Sequence, residues 1–344
     1  MIQTTPAAAE RRRHEPVVIG HRGASAHRPE HTLLSYETAI ALGADYIEPD
    51  LVATKDHVLV ARHENEISGT TDVAGRPEFA ARRVTRTIDG RPVTGWFTED
   101  FTLAELKTLR AKERVPALRP GNTAFDGLAE IPTFEEVVRL ALRAGVGVYP
   151  ETKHPTYFAS IGLPLEEPLL EVLARHRVRA AYIQSFETAN LRELRGRTEL
   201  PLIQLVAYDG APYDWVAAGD PRSYKDLVTP DGLREIAGYA DGIGVDTRLV
   251  VPRDADDRTL PPTTLVADAH RDGLDVHVWT VRGENSQLPA DHRAGDPASP
   301  AYPRATGDVT GWLAKLLDAG IDGAFCDDPG TARAVLAERA RRRR

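Results

Sequence analysis

Acidic and basic side chains occur together near the ends of three apolar segments in the first half of the chain. They are His21 and Arg22 in VVIGHRG (17–23), Glu48 and Asp50 in YIEPDLV (46–52), and Glu151 and Lys153 in GVGVYPETK (145–153). Side chains two apart on a strand point to the same face. Three converging carboxylates repel one another unless a cation lies between them, and oxygen ligands select a hard ion. The pattern predicts a site for Ca²⁺ or Mg²⁺, rather than zinc, formed by Glu48, Asp50 and Glu151.

A second histidine comes from the segment DLVATKDHVLVARHEN (50–65), which has the pattern of a β-hairpin. A two-residue turn at Lys55 and Asp56 pairs Glu48 with His63 and places this histidine beside the carboxylates. A turn shifted by one residue would direct the side chain away, because a one-residue slip exchanges the two faces of a strand.

These side chains together suggest a reaction class. His21 and His63 provide one general base and one general acid near neutral pH. A divalent ion, with Arg22 and Lys153, can neutralise charge on a phosphoryl group. We therefore expect metal-assisted cleavage of a phosphodiester.

Eight short apolar runs, separated by helical patterns, must position these residues. The runs span residues 17–23, 46–52, 145–153, 180–187, 201–208, 242–250, 274–281 and 323–329. This alternation favours an α/β protein with a closed (β/α)₈ TIM barrel, in which the carboxyl ends of all strands share one mouth. An open, doubly wound sheet is the alternative topology.

Helical signals are clearest in three of the connecting segments. Apolar residues in TFEEVVRLALRAG (133–145) recur at helical spacing, and GWLAKLLDAG (311–320) repeats the pattern. TLLSYETAIALG (32–43) has Thr32 as a candidate N-cap and Gly43 as a stop.

The segment from about residue 66 to residue 130 breaks the alternation. It is rich in Arg, Thr, Gly and Pro, and its one helical pattern is FTLAELKTLR (101–110). A structureless loop of this length is unusual in a compact domain. We expect an insertion after the second strand and its hairpin, with structure of its own over one barrel mouth. The prediction is a single barrel domain over residues 16–340, with tails at 1–15 and 341–344.

Composition bounds the partners of the protein. Its 344 residues are 42% hydrophobic and carry a net charge of −8, which argues against a nucleic-acid groove or an anionic membrane surface. Cys326 is the single cysteine, so a disulfide framework and a thiolate zinc site are excluded. No run approaches the ~18 apolar residues of a membrane span. No signal peptide is evident, so the expected location is the cytoplasm, or a secreted or periplasmic one if an export signal has been removed.

Other residues near the strand ends have structural interpretations beside functional ones. His277 in DVHVWTV has the pattern of a histidine on a buried strand, and Trp279 either lines a substrate pocket or fills the core. The stretch DDPG at 327–330 is expected to end the last strand and cap a helix.

The motifs occur in an order that resembles the glycerophosphodiester phosphodiesterases. The matching stretches are HRGASAHRPEHT, GADYIEPDLVATKDHVLVARHE, FTLAELKTL, IPTFEEVV, VYPETKHP, YADGIG and VWTVR. They extend from about Val17 to Pro329, and their joint occurrence is far more specific than HRG alone. The long insertion and His31, where many relatives have Asn, resemble the larger secreted or periplasmic bacterial branch.

The resemblance implies a TIM barrel that hydrolyses glycerophosphodiesters, such as glycerophosphocholine or glycerophosphoethanolamine, to sn-glycerol 3-phosphate and an alcohol. It implies that the three carboxylates bind one divalent cation, Ca²⁺ in preference to Mg²⁺, and that Arg22 and Lys153 bind phosphate. In the implied route the glycerol 2-hydroxyl attacks phosphorus with His21 as base, and His63 protonates the departing alcohol. Water then opens a cyclic phosphate.

Three other functions are alternatives to this one. Phospholipases of the same superfamily act on intact lipid, but no exposed basic and aromatic membrane-binding stretch is visible. A barrel that only binds glycerophosphodiesters needs no acid–base pair. A metal-dependent amidohydrolase has His-x-His on its first strand, where this chain has His21, Arg22 and Gly23.

Overall fold

A ring of mostly parallel strands forms the body of the protein. The computed structural model describes residues 15–342. Its strands are β1 (Val17–His21), β2 (Tyr46–Glu48), β3 (Asp50–Ala53), β4 (Leu59–Ala61), β5 (Val84–Ile88), β6 (Arg91–Gly95), β7 (Gly147–Val148), β8 (Glu151–Thr152), β9 (Ile183–Ser185), β10 (Leu202–Val206), β11 (Gly242–Asp246), β12 (Asp275–Val281) and β13 (Gly323–Cys326). Each of the eight apolar runs contains one strand or one broken strand of the ring.

Two of the ring strands are broken at a proline, which has no N–H for the ladder. Pro49 separates β2 from β3, and Pro150 separates β7 from β8. Pairing continues across the breaks, since the Tyr149 amide donates to the Ile47 carbonyl at 2.9 Å and the Glu151 amide to the Pro49 carbonyl at 3.0 Å.

The ring is closed by parallel pairing of the last strand with the first. β13 pairs with β1, β1 with β2, β2 with β7, and β3 with β8. With each broken strand counted as one, and without the outer hairpin strand β4, the eleven-stranded sheet is an eight-stranded barrel. The predicted (β/α)₈ TIM barrel is confirmed, and the open sheet was the wrong alternative.

Aromatic and branched side chains fill the inside of the barrel. A buried cluster lies there, made of Ile19, Tyr149, Ile203 and Phe325. The Tyr149 hydroxyl lies 2.8 Å from Nδ1 of His277, which is fully buried. His277 thus has its expected structural position, and the packed interior supports the mouth from below.

Helices surround the barrel and pack their apolar faces on it. They are α1 (Leu33–Ala41), α2 (Leu103–Leu106), α3 (Phe134–Ala144), α4 (Pro155–Ser160), α5 (Glu166–Arg175), α6 (Thr188–Arg195), α7 (Tyr213–Ala218), α8 (Tyr224–Leu227), α9 (Pro230–Ala237), α10 (Thr247–Val250), α11 (Leu265–Arg271), α12 (Val309–Asp318) and α13 (Pro329–Arg342). Thr32 caps α1 by accepting from the Ser35 amide, and Thr133 forms a capping box on α3.

The ends of the chain were predicted as tails. Helix α13 continues through Arg342 and so extends into the segment 341–344. Residues 1–14 and 343–344 lie outside the described residues. Within residues 15–342, none of the helices has the length and apolar character needed to cross a membrane.

The segment 66–130 has structure of its own. β5 and β6 form an antiparallel hairpin whose turn residues, Asp89 and Gly90, have φ angles of 47° and 75°. The helical pattern at 101–110 yields only the four-residue helix α2. Arg114 donates to Glu30 at 2.8 Å and Arg119 donates to the Ser25 carbonyl at 2.9 Å. These contacts seat the segment on the loop that leaves β1.

The predicted register of the hairpin after β2 was wrong by one residue. The pairs observed are Leu51 with Ala61 and Ala53 with Leu59, and the Thr54 amide donates to the Val58 carbonyl at 3.0 Å, so the connection 55–57 has three residues instead of two. The cause is local, because the Thr54 hydroxyl accepts from the Val58 amide at 2.9 Å and His57 adopts a φ of 60°. Glu48 therefore does not face His63 across the ladder.

The loop after β1 has an unusual backbone. Arg22 and Gly23 both have positive φ angles, of 58° and 91°. A Cβ atom at Gly23 would lie 2.7 Å from the carbonyl carbon of Ser35 on helix α1. The turn directs the Arg22 amide to Glu48, whose Oε2 accepts it at 2.9 Å. Glycine at position 23 is thus required by both conformation and space.

We expect Gly23→Ala to lower the free energy of unfolding by ~2–4 kcal/mol, because the left-handed φ and the overlap with Ser35 add. Urea denaturation followed by circular dichroism measures the change. Gly75→Ala is the matched control, since no atom lies within 4 Å of a Cβ built there. Equal stability of the two variants would contradict this account of the loop.

Candidate active site

A cavity of about 360 Å³ opens at the carboxyl-terminal mouth of the barrel. Most of the residues predicted to form the site lie in its wall, namely His21, Arg22, Glu48, His63, Glu151 and Trp279. Asp50 and Lys153 lie directly behind the wall, in contact with Arg22 and Glu151 respectively. The structure therefore brings all eight predicted site residues together.

Three carboxylates meet at the strand ends. One oxygen each of Glu48, Asp50 and Glu151 lies within 4.8 Å of the others, and all three side chains are buried. Glu48 is fixed on two sides, because Oε2 accepts from the Arg22 amide and Oε1 accepts from Nε2 of Gln184 at 2.9 Å. This carboxylate cluster is the part of the site that could hold a metal ion.

Asp50 is oriented by His31, which comes from the loop before helix α1. Oδ2 of Asp50 lies 2.9 Å from Nε2 of His31, and Nδ1 of His31 lies 2.8 Å from the Tyr36 hydroxyl. His31 is fully buried. Oδ1 of Asp50 is also buried and accepts no hydrogen bond from any described residue. An oriented carboxylate with one free oxygen is suited to bind a cation.

Two cations border the cluster. Nζ of Lys153 lies 2.8 Å from Oε1 of Glu151, and Nε of Arg22 lies 3.4 Å from Oδ2 of Asp50. The Arg22 guanidinium also donates to Glu30 at 3.2 Å. Both positive charges are thus fixed in place beside the cavity.

The charges of the chain alone do not keep all three carboxylates ionised. Burial, and then the charge of Asp50, raise the pKa of Glu48 well above its usual range. Burial likewise raises the pKa of Glu151 to about 8, against the opposing effect of Lys153. Burial acts in the same direction on Asp50, but the charges of His31 and Lys153 hold its pKa well below the usual range. A divalent ion bound at the cluster would replace the protons that Glu48 and Glu151 otherwise carry.

His21 is held by a carboxylate on its far side from the cavity. Its Nδ1 lies 2.5 Å from Oδ1 of Asp327, and its Nε2 lies 4.0 Å from Oε2 of Glu48. Burial and the charge of Arg22 lower the pKa of His21 to about 4, although Asp327 opposes them. Because a carboxylate only accepts, the Nδ1 nitrogen that faces Asp327 is the donor, and Nε2 faces the carboxylate cluster.

His63 lines the cavity two residues beyond the end of β4 at Ala61. Its Nε2 lies 3.3 Å from Nζ of Lys153, and its Nδ1 lies 2.6 Å from Oε1 of Glu64. Burial and the charges of Arg22 and Lys153 lower the pKa of His63 to about 3. The second histidine is thus beside the cations, on a different element from the first.

Trp279 forms part of the cavity wall. Its indole Nε1 donates to the Gly244 carbonyl at 2.9 Å, which fixes the ring. The ring packs edge-on against Phe186, with 5.7 Å between the centroids, and Phe186 also lines the cavity. Trp279 therefore lines a pocket, which was one of its two predicted positions, and does not simply fill the core.

Several residues at the site were not identified from the sequence. Gln184 and His31 orient two of the carboxylates, and the first could have been noticed as a polar residue within an apolar run. Asp328 accepts from the Gly330 amide as the expected helix cap, but Asp327 binds His21 instead. Arg119 donates to Asp327 from 208 residues away, and no local signal indicates such a pair.

The fold and the cavity together define a class of protein, a TIM barrel with a buried cluster of acidic and basic side chains at its carboxyl-terminal mouth. A sequence profile of the glycerophosphoryl diester phosphodiesterase family matches residues 21–331. A glycerophosphodiester phosphodiesterase of Arabidopsis thaliana is 34% identical over 334 residues, which cover 92% of this chain and 84% of that protein.

Solved structures share the fold of this chain. A candidate glycerophosphoryl diester phosphodiesterase from Silicibacter pomeroyi superposes with a TM-score of 0.65 at 23% identity, covering 95% of each chain. A phosphodiesterase from Oleispira antarctica, in complex with the product sn-glycerol-3-phosphate, superposes with a TM-score of 0.60 at 20% identity. That match covers 94% of this chain and 97% of the other.

This chain belongs to the glycerophosphoryl diester phosphodiesterase family. It is an enzyme, a phosphoric diester hydrolase that acts on glycerophosphodiesters. The family resemblance stated from the motifs is confirmed, and the amidohydrolase and binding-only alternatives are not.

His154, at the rim of the barrel mouth, contacts the insertion. Nδ1 of His154 lies 2.6 Å from Asp89 in the β5–β6 turn, and its Nε2 lies 3.3 Å from Glu64. Burial acts to lower the pKa of His154, but the hydrogen bonds with Asp89 and Glu64 raise it from 6.5 to about 9. The stabilisation from this contact is fully present below pH 6.5 and is lost as the pH rises through 9.

We expect His154→Gln to lower the free energy of unfolding by ~1–3 kcal/mol at pH 6 and by much less at pH 10. The reason is that the folded wild-type protein retains the imidazolium proton through neutral pH, whereas the unfolded chain releases it. Urea denaturation of both proteins at pH 6, 8 and 10 measures the difference. An equal loss at all three pH values would contradict the charged contact with Asp89.

Proposed function

We propose that this enzyme hydrolyses glycerophosphodiesters such as glycerophosphocholine and glycerophosphoethanolamine to sn-glycerol 3-phosphate and an alcohol. His21 is the general base and His63 is the general acid. The observation that carries the proposal is one cavity whose wall includes both histidines and two members of the carboxylate cluster. Cleavage of a phosphodiester needs one group to accept a proton from the nucleophile and another to give a proton to the leaving alcohol.

The carboxylate cluster fits a hard divalent cation. Its donors are all oxygens, they lie within 4.8 Å of one another, and Oδ1 of Asp50 has no hydrogen-bond partner among the described residues. We propose that Glu48, Asp50 and Glu151 bind one such ion, Ca²⁺ in preference to Mg²⁺. When bound, the ion supplies Lewis-acid polarisation of a phosphoryl oxygen.

Arg22 and Lys153 are proposed to bind the phosphate. Both are buried, and both are held by carboxylates in fixed positions. Burial acts to lower the pKa of Lys153, but the charges of Glu151 and Asp50 keep it above the usual range, so its ammonium is charged. Fixed charges of this kind stabilise a phosphoryl group without reorganising in the reaction. The apolar wall with Trp279 contacts the glycerol carbons.

The proton transfers follow from the two rings. Nε2 of His21 accepts the proton of the glycerol 2-hydroxyl as its oxygen attacks phosphorus, and the alcohol then leaves with a proton from His63. Burial and the charges of Arg22 and Lys153 lower the pKa of His63, whereas the hydrogen bond with Glu64 raises it. We propose that the charge of the bound phosphate raises it further, so that His63 carries the proton that it gives to the alcohol. A hydroxyl held beside phosphorus gains an effective molarity of up to ~10⁵–10⁸ M. Water opens the cyclic phosphate with the roles of the two histidines reversed.

Release of sn-glycerol 3-phosphate from a panel of glycerophosphodiesters tests the proposal. We expect no release in EDTA and recovery with Ca²⁺, and to a smaller extent with Mg²⁺. The ranking of the panel identifies the preferred alcohol. Undiminished release in EDTA would overturn the metal site. Cleavage of phospholipid vesicles without cleavage of the panel would transfer the activity to intact lipid.

We expect His21→Ala and His63→Ala each to lower kcat by ~10²–10⁴ with glycerophosphocholine. With a p-nitrophenyl leaving group, which needs no proton, the loss in His63→Ala should shrink and the loss in His21→Ala should remain. Steady-state kinetics on both substrates measures the two losses. His57→Gln is the control, because this histidine lies outside the cavity and contacts the Pro164 carbonyl. Full activity of either alanine variant would remove its assignment.

We expect Glu48→Gln to raise the metal concentration needed for half-maximal activity by ~10–100-fold, because the site loses one anionic ligand. Activity should partly recover at high Ca²⁺. Glu166→Gln is the matched control, since Glu166 is also a buried carboxylate but contacts Asn190 on the outer helices. The same metal dependence in both variants would contradict the role of Glu48.

A further inference from the structure

The carboxylate of Asp327, at the end of β13, is surrounded by donors. Oδ1 lies 2.5 Å from Nδ1 of His21, while Oδ2 accepts from Arg119 and from Nε of Arg282, the second at 3.0 Å. Its side chain is only 2% exposed. Burial acts to raise the pKa of Asp327, but the charges of Arg282 and Arg119 hold it well below its usual range. A buried anion therefore contacts the face of His21 that points away from the cavity.

Arg119 comes from the insertion and joins three separate parts of the mouth. Its guanidinium donates to Asp327, to Glu284 at 2.7 Å and to the Ser25 carbonyl at 2.9 Å. Asn122, three residues later, donates to the same Ser25 carbonyl at 3.0 Å. The side chain of Arg119 is only 10% exposed. The insertion thus supplies a fixed cation one contact away from His21.

We propose that Asp327 and Arg119 are positioning residues for catalysis, which hold His21 in the tautomer with Nδ1 protonated and Nε2 free towards the carboxylate cluster. The insertion is then a part of the active site and not only a cover over it. The proposal rests on the role of His21 as general base given above.

The arrangement of donors explains why an anion is needed at position 327. A carboxylate only accepts, so the ring nitrogen that faces it must carry the proton. In Asp327→Asn, Arg119 and Arg282 remain donors and attract the amide oxygen. The amide NH₂ then faces His21, whose Nδ1 must accept and whose proton moves to Nε2. The ring would present a proton, in place of a lone pair, to the hydroxyl that it should deprotonate.

Kinetics on the metal-loaded enzyme tests the proposal. We expect Asp327→Asn to lower kcat by ~10²–10⁴, with KM and the Ca²⁺ requirement changed less than about threefold. The loss should persist with the p-nitrophenyl substrate, unlike that of His63→Ala, because the affected step is deprotonation of the nucleophile. Arg119→Met should lower kcat by ~10-fold, and Arg119→Lys should restore part of it.

A matched control separates this effect from loss of an ion pair in the insertion. Arg82, also in the insertion, makes an ion pair with Glu105 on helix α2, and neither residue lines the cavity. Arg82→Met should therefore change kcat by less than twofold. Loss of kcat in Arg82→Met equal to that in Arg119→Met would overturn the positioning role of Arg119.

Nitrogen NMR on histidine-labelled protein gives a readout that does not depend on activity. We expect a protonated Nδ1 for His21 in the wild-type protein and a protonated Nε2 in Asp327→Asn. A protonated Nε2 in the wild type would overturn the proposal, and this result is available even if the Asp327 variant does not fold.

The outcomes distinguish this proposal from the proposed function. Absence of sn-glycerol 3-phosphate release from the wild type would refute the function itself. An active wild type, an inactive His21→Ala and a fully active Asp327→Asn would leave the function in place and refute only the positioning role.

Discussion

The mutual repulsion of three buried carboxylates is the constraint on which the rest of this structure depends. Glu48, Asp50 and Glu151 share one small volume at the mouth of the barrel. Among the described residues, Arg22 and Lys153 contact the cluster, and Arg22 is shared with Glu30. A divalent ion would satisfy the cluster and would attract a phosphodiester to the same place. One bound divalent ion would therefore both relieve the repulsion among the carboxylates and bind the substrate.

The fold holds the three carboxylates at the same level of the barrel. Pro49 and Pro150 break two neighbouring strands at the same level, and each break directly precedes a member of the cluster, Asp50 or Glu151. The left-handed turn at Arg22 brings a backbone amide to Glu48. The buried side chains of Gln184 and His31 orient Glu48 and Asp50 by hydrogen bonds to one oxygen of each. Because the barrel interior below is packed with aromatic rings, the cluster rests on a rigid support.

Much of the barrel and of the carboxylate cluster could be predicted from the local sequence, because strands and carboxylate pairs depend on residues close together in the chain. The eight apolar runs predicted the barrel, and alternate spacing predicted that Glu48 and Asp50 lie together. His63 was placed near the cluster by a register that is wrong, yet its side chain lines the cavity two residues beyond the end of β4. The contact between Arg119 and Asp327 joins positions 208 residues apart, so nothing in the local pattern predicts it.

The most direct test of the central claim is a crystal structure of the enzyme grown with Mn²⁺ and sn-glycerol 3-phosphate, with anomalous diffraction used to locate the metal. Mn²⁺ favours the same oxygen ligands as Ca²⁺ and Mg²⁺. The account predicts one anomalous peak bound by Glu48, Asp50 and Glu151, with the phosphate of the product between this ion and the two histidines. A metal bound elsewhere, with the phosphate away from the carboxylate cluster, would contradict it.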